Sequence, residues 1–315
     1  MERRQLGDSD LHITRLGIGA WAIGGGGWNG SMGPQNESDS IPAIHAALDY
    51  GLNWVDTTAL YGLGHSEAVV AEALRGRRQR PYVFTKCERV WDASGTIGAR
   101  LKDASIRKEC EDSLCRLQVD TIDLYQIHWP EPDEDIEEGW TELARLKQEG
   151  KVRYIGVSNF AVSQMKRAQA IAAITSLQPP YSLVTRQIEK EILPFALEQN
   201  IGVIVYSPMC RSAHGSHDAR KGSKLCGRGL AQKSSQLPGT AVVPQSETGR
   251  VAARDRKPAG THAPGEVAIA WTLKNPAVTG AIVGFRNPQQ VSGIVGAAEF
   301  SLGPTEMAEI EDALK

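Results

Sequence analysis

No stretch of the chain approaches the roughly 20 consecutive apolar residues that a membrane-spanning helix requires. The opening residues, MERRQLGDSDLHITRLGIG, carry charge without the apolar core of a signal peptide. A cytoplasmic location is expected. Cysteine is sparse and unpaired in pattern: Cys87, Cys110, Cys115, Cys210 and Cys226 are odd in number and include no C-x-x-C. That spacing argues against a disulfide framework and against a zinc site, so the five read as reduced thiols. An excess of charge of one sign is missing too. The net charge is -2 with no basic stripe, which excludes the usual footprint of a nucleic-acid binder. An apolar content of 41% with 23% charged residues describes a globular chain, and 315 residues is an ordinary length for one (β/α)8 barrel.

What the sequence does have is polar residues closing short apolar runs. Asp56 follows LNWV, Lys86 follows PYVFT, His128 follows DLYQI, and Ser158-Asn159 follows VRYIGV. Between these runs the apolar period switches to that of a helix. The pattern predicts helix 38–51 before strand 53–56, 66–76 before 82–86, 103–117 before 121–127, and 134–149 before 153–157. It continues with helix 161–172 before strand 174–178, 188–199 before 202–206, and 264–274 before 278–283. A first buried strand lies at Leu16 to Ala20, and helices near 287–298 and 304–314 finish the chain. Residues 3–14 alternate about Gly7-Asp8-Ser9 as a hairpin does, and such a hairpin could plug a barrel floor. The expected fold is α/β: one (β/α)8 TIM barrel over residues 1–315, with an N-terminal hairpin at its floor and an extra C-terminal helix. In such a barrel the C-terminal strand ends form the active-site face, so the polar strand ends would meet in one pocket.

The segment NWVDTTALYGLGHSE is the most specific signal: Asp56 ends a strand, Tyr61 follows five residues later, and Gly62, Gly64, Ser66 and Glu67 turn the chain into a helix. It resembles the aldo-keto reductase family. The similarity extends through RQLGDSDLHITRLGIGAW, VFTK, DLYQIHWP, GVSNF, LQPPYS, VIVYSP and AIVGFRNPQQ. The resemblance implies a catalytic tetrad of Asp56, Tyr61, Lys86 and His128. Chemistry agrees with it. Reducing a carbonyl needs a proton donor at the developing alkoxide, and a phenol with an ordinary pKa near 10 is a reluctant one at neutral pH. An ammonium at Lys86 would favour the phenolate of Tyr61, Asp56 would hold Lys86, and His128 would orient the substrate oxygen. Each residue alone also has a plain structural reading: turn or cap for Asp56, surface charge for Lys86, packing for Tyr61, core histidine for His128. Their joint arrangement on consecutive strand ends favours the site.

The resemblance also implies a nicotinamide cofactor. Ser158, Asn159 and Gln178 would hold its carboxamide, Tyr206 would offer a ring to stack on, and Ser207 would meet the pyrophosphate. GVSNF alone reads equally as a helix N-cap. The turn from Gly284 through Arg286 to Gln290 can present backbone N–H groups and a guanidinium to phosphate, which makes Arg286 the candidate for the 2′-phosphate of NADP(H) over NAD(H). Gly293, Ile294 and Gln290 depart from residues that many relatives carry there. The run Gly24 to Gly27 opens no helix, is not a dinucleotide fingerprint, and is read as a mobile substrate loop. Trp21, Trp28 and Trp129 are expected to line the pocket.

Residues 210 to about 262 keep neither the helical nor the strand period. Writing Cys210 onward as TGT-CGG-TCT-GCT-CAC-GGG and reading one base later gives Val-Gly-Leu-Leu-Thr-Gly, a clamp-like motif that the resemblance leads one to expect after VIVYSP. Ser235 to Thr248 and Gly249 to His262 yield further amphipathic text in the same shifted frame. The segment is therefore read as a reading-frame product replacing the cofactor clamp and part of a helix.

The function expected is reduction of an aldehyde or ketone by NADPH, with Tyr61 as general acid, by a monomer or weak homo-oligomer acting on a small carbonyl substrate. A non-catalytic, nicotinamide-binding regulatory subunit of the same fold is the alternative. A Schiff-base role for Lys86 is disfavoured because Asp56 would keep it protonated.

Overall fold

Eight parallel strands close into a barrel in the computed structural model, which describes residues 1–209 and 262–314. The strands are β3 (Leu16–Gly19), β4 (Trp54–Asp56), β5 (Tyr82–Cys87), β8 (Ile122–Ile127), β9 (Val152–Ser158), β10 (Ser176–Gln178), β11 (Gly202–Val205) and β12 (Val278–Gly284). Each pairs with the next, and β12 returns to β3 with Ala281 opposite Leu16 and Gly284 opposite Gly19. Helices form the crossovers, as the alternation of apolar periods requires, and Pro304–Leu314 is the additional C-terminal helix. The anomalous segment read from 210 to about 262 lies outside the described residues, apart from His262.

Parallel strands are covered on both faces, so they read as continuous apolar runs. Every residue of Ile122–Ile127 is buried. Inside the barrel, Trp54, Phe84, Leu124, Ile204 and Ile282 form a cluster with Leu6, Leu11 and Ile13. Those last three come from the N-terminal hairpin, β1 (Arg3–Gln5) paired antiparallel with β2 (His12–Thr14). Gly7 turns this hairpin at φ +55, and a Cβ there would lie 2.3 Å from the carbonyl oxygen of Thr175, just before β10. The hairpin thus seals the N-terminal end of the barrel. Gly17 is equally constrained, because the Trp54 indole occupies the space where its Cβ would stand.

Two expected helices need correction, and one hairpin is added. The helix expected over 188–199 is a 3-10 turn, Gln187–Glu189, followed by a separate helix, Ile192–Glu198. Pro194 has no N–H to give and sits comfortably only in a first helical turn, so the helix restarts there. The helix near 287–298 likewise splits into Pro288–Ser292 and a 3-10 turn Val295–Ala298, broken at Gly293. A second hairpin, β6 (Arg89–Trp91) with β7 (Ile97–Ala99), was not anticipated. Its turn is held by Asp92 Oδ1, which accepts from the N–H groups of Ser94 and Thr96, and by Gly95 at φ +81. None of the helices among the described residues is long and apolar enough to cross a membrane.

Candidate active site

Strand register carries the polar strand ends to one place. Asp56 stands opposite Phe84, Lys86 opposite Gln126, and Ser158 opposite Gln178, all on the C-terminal side of the barrel. Lys86 is buried, and its Nζ donates to Asp56 Oδ1 at 2.6 Å and to the Thr57 carbonyl at 2.9 Å. The same ammonium lies 5.8 Å from the centroid of the Tyr61 ring. The His128 ring meets Tyr61 edge-on at 6.4 Å between centroids. Burial is the largest influence on Lys86 and pulls it below the usual lysine range, against the opposing attraction of Asp56 and, more weakly, Glu67. Burial, reinforced by the charges of Lys86 and Arg89, pushes His128 well below its ordinary value. The imidazole is therefore neutral in the working range, a hydrogen-bonding group and not a cation.

Around this group runs a chain of amides and hydroxyls. Gln178 Nε2 donates to Asp56 Oδ2 at 2.8 Å, and Ser158 Oγ donates to the Gln178 carbonyl at 2.8 Å. Asn159 Nδ2 reaches the His128 carbonyl and Ser158 Oγ, each at 3.0 Å, while Tyr206 OH donates to Asn159 Oδ1 at 2.9 Å. Asn159 has left-handed backbone at φ +64, and so does Ser207, next to Tyr206, at φ +56. Asparagine tolerates that region, but serine there is strained, and such strain concentrates at functional sites.

These residues surround a cavity of about 670 Å³. Asp56, Tyr61, His128, Ser158, Asn159, Gln178, Tyr206 and Ser207 line it, with Gly284, Arg286 and Gln290 at the β12 exit and Trp21, Trp28 and Trp129 at the other side. Lys86 sits behind the wall, against Asp56. The volume falls in the range of small-molecule and cofactor sites. The Aldo/keto reductase family model matches residues 15–315. The chain belongs to the aldo-keto reductases.

Aldo-keto reductase YhdN of Bacillus subtilis (strain 168) is 40% identical over 213 residues, 67% of this chain and 63% of that protein. The chain therefore spans a little under two thirds of that relative. NADH-specific methylglyoxal reductase of Escherichia coli (strain K12) is 31% identical over the full length of both. Among solved structures, the glycerol dehydrogenase of Gluconobacter oxydans superposes with a TM-score of 0.80 at 32% identity, covering 99% of this chain and 95% of that one.

Sequence reasoning overlooked several residues of this aldo-keto reductase's site. Gln126 Nε2 lies 3.5 Å from Asp56 Oδ2. The signal for it was available: Gln126 precedes His128 by two residues at the end of β8, where extended backbone keeps alternate residues on one face. Glu67, fully buried, accepts from Thr85 Oγ1 at 2.5 Å and from Arg116 Nε at 2.7 Å just beneath Lys86's strand. The glycine-rich loop, read as mobile, is braced: Trp21 Nε1 donates to the Gly30 carbonyl and Trp28 Nε1 to the Gly25 carbonyl, each at 3.0 Å.

The unanticipated β6–β7 hairpin brings a further feature beside Trp129. Arg89 lies 5.9 Å over the Trp129 ring and pairs with Glu131 at 2.7 Å. Glu88, at φ +92, buries its carboxyl with the Arg89 guanidinium 3.2 Å away. Burial raises Glu88 to about 9, Arg89 opposing. It raises Glu109 to about 7, against hydrogen bonds from Ser105 and the Glu88 N–H. Both groups hold their protons more tightly folded than unfolded. Stability is therefore full below the ordinary glutamate pKa of 4.5 and declines as pH rises through about 7 and about 9. Glu88→Gln should flatten that decline, raising stability at pH 8 by a few kcal/mol, roughly ten degrees in Tm, with little change at pH 4. Thermal unfolding followed across pH tests this; an unchanged slope would exclude Glu88 as its source.

Proposed function

We propose that this aldo-keto reductase converts an aldehyde or ketone to the alcohol, using NADPH and the Tyr61 hydroxyl as proton donor. The observation that carries the reading is the buried Lys86 ammonium, held by Asp56 at 2.6 Å and lying 5.8 Å from the Tyr61 ring, with neutral His128 across that ring on the wall of one cavity. Tyr61 O–H gives its proton to the oxygen that becomes the alcohol. Lys86 stabilises the phenolate left behind, and Asp56 keeps the ammonium in place. His128, being neutral, aims the carbonyl oxygen at Tyr61 by a hydrogen bond and adds no competing charge.

The residues present fit a nicotinamide dinucleotide. Ser158, Asn159 and Gln178 offer a compact set of amide and hydroxyl groups, and Tyr206 presents a half-exposed ring to the cavity. At the β12 exit, a Cβ on Gly284 would meet nothing closer than the Gly19 carbonyl oxygen at 3.7 Å, which leaves open backbone beside Arg286. When bound, the nicotinamide supplies the hydride. Ser158, Asn159 and Gln178 would hold its carboxamide, Ser207 the pyrophosphate, and Gly284, Arg286 and Gln290 the adenosine end.

The Escherichia coli relative is named for NADH. Arg286 favours NADPH here, because a guanidinium recognises phosphate. Arg286→Ala should weaken NADPH by about 1.5–3 kcal/mol and leave NADH nearly unchanged. Equal losses for the two cofactors in a fluorescence titration would put Arg286 on the pyrophosphate or the scaffold. The decisive experiment adds turnover of a nitrobenzaldehyde to that titration: NADPH bound and oxidised supports the reductase, whereas tight binding without turnover supports a regulatory nicotinamide-binding protein. Replacing residues 210–262 with the text of the shifted frame should tighten NADPH. Gene sequence that cannot be read one base later as that text would defeat the frame-shift reading.

A further inference from the structure

The loop leaving β3 and the loop leaving β12 are joined by two reciprocal bonds. Arg286 Nη2 donates to the Met32 carbonyl, and Gln35 Nε2 donates back to the Arg286 carbonyl at 2.8 Å. Both ends of the bridge are built. Arg286 N–H donates to Gln290 Oε1 at 2.8 Å, Gln290 N–H donates to Asn287 Oδ1 at 2.9 Å, and Gln35 Nε2 also reaches Ser40 Oγ at 3.1 Å. On the far side, the indole bonds of Trp21 and Trp28 fold residues 25–30 into one unit. That unit is part of the substrate end of the cavity, because the Trp21 and Trp28 rings lie 6.5 and 6.0 Å from Tyr61. The guanidinium expected at a cofactor phosphate is thus the one that holds the substrate loop.

We propose that Arg286 is a latch with two alternative acceptors: the Met32 carbonyl, which fastens loop 25–35 over the substrate pocket, and the adenosine phosphate of NADPH, which takes the guanidinium away and frees the loop. The inference rests on the cofactor reading above. A phosphate outcompetes a neutral carbonyl for the guanidinium, since it adds the attraction of opposite charges and can accept two parallel N–H bonds. NADH has no such phosphate and leaves the latch fastened. The phosphorylated cofactor then does more than bind: it sets the mobility of the pocket that receives the carbonyl. By reciprocity, whatever holds loop 25–35 closed weakens NADPH by the same factor.

Backbone amide hydrogen exchange of residues 25–36 in the full chain tests this, measured without cofactor and with NADPH or NADH at saturation by fluorescence titration. NADPH should speed exchange roughly tenfold, the effect on local opening of losing one hydrogen bond to a charged group. NADH should leave it unchanged. Arg286→Ala should reach the faster rate with no cofactor present and erase the difference between the two. Gln35→Ala, which removes one bond of the bridge but keeps the guanidinium, should speed exchange partway and retain the difference. Equal exchange under both cofactors in the parent would overturn the coupling, and slow cofactor-free exchange in both variants would overturn the latch. If neither dinucleotide binds, the cofactor reading and the coupling fall together, while the cofactor-free comparison of parent and variants still decides whether Arg286 holds the loop.

Discussion

Tyr61→Phe should lower carbonyl reduction by about two to four orders of magnitude, the loss typical of a missing general acid, while NADPH binding and thermal stability stay near those of the parent. The ring is what the surroundings pack against: Trp21, Trp28 and His128 all lie within 6.5 Å of it, centroid to centroid, and phenylalanine keeps that ring. Only the hydroxyl is lost. Single-turnover rates with a nitrobenzaldehyde read the effect directly. Activity within threefold of the parent would remove Tyr61 from the role of proton donor.

Lys86→Met should be comparably severe, for a different reason. The methionine is of similar length and fills the buried space, but Asp56, itself buried, then loses its ion-pair partner. Breaking a buried pair on one side costs about 3–5 kcal/mol, so a lower Tm should accompany the loss of turnover. The pH profile distinguishes this from simple destabilisation. With no ammonium beside the phenol, the phenolate is no longer favoured, and the alkaline limb of kcat/KM should move to higher pH. A variant that lost activity with an unmoved profile would show that Lys86 acts only through the fold.

The barrel was legible because each strand is an apolar run closed by a polar residue, and because two helical breaks aside, the intervening segments hold the helical period. Asp56, Lys86 and His128 could be singled out as candidates for the same reason, standing where a buried run meets the rim. What the sequence could not show was which polar groups face one another. Gln178 donates to Asp56 across the barrel, a contact fixed by closure and register and not by spacing along the chain. The Arg286–Met32 bond was illegible for another reason: its acceptor is a backbone carbonyl, placed by a loop whose path depends on left-handed glycines at 25, 27, 30 and 33. Helix breaks at Pro194 and Gly293 were visible as residues but outweighed by the apolar period around them.

The pairing of β12 with β3 has a consequence for how the protein is made. The first barrel strand emerges well before its final neighbour, so one edge of β3 stays open until every other barrel strand has been made. Such non-local pairing is slow to form, and an open parallel edge is a template for association with other chains. Gly19 and Gly284, on the rim of the pocket, belong to that last seam. Nascent chains stopped before it would expose an adhesive edge and lack one wall of the site, which makes the final strand a natural checkpoint between aggregation and activity.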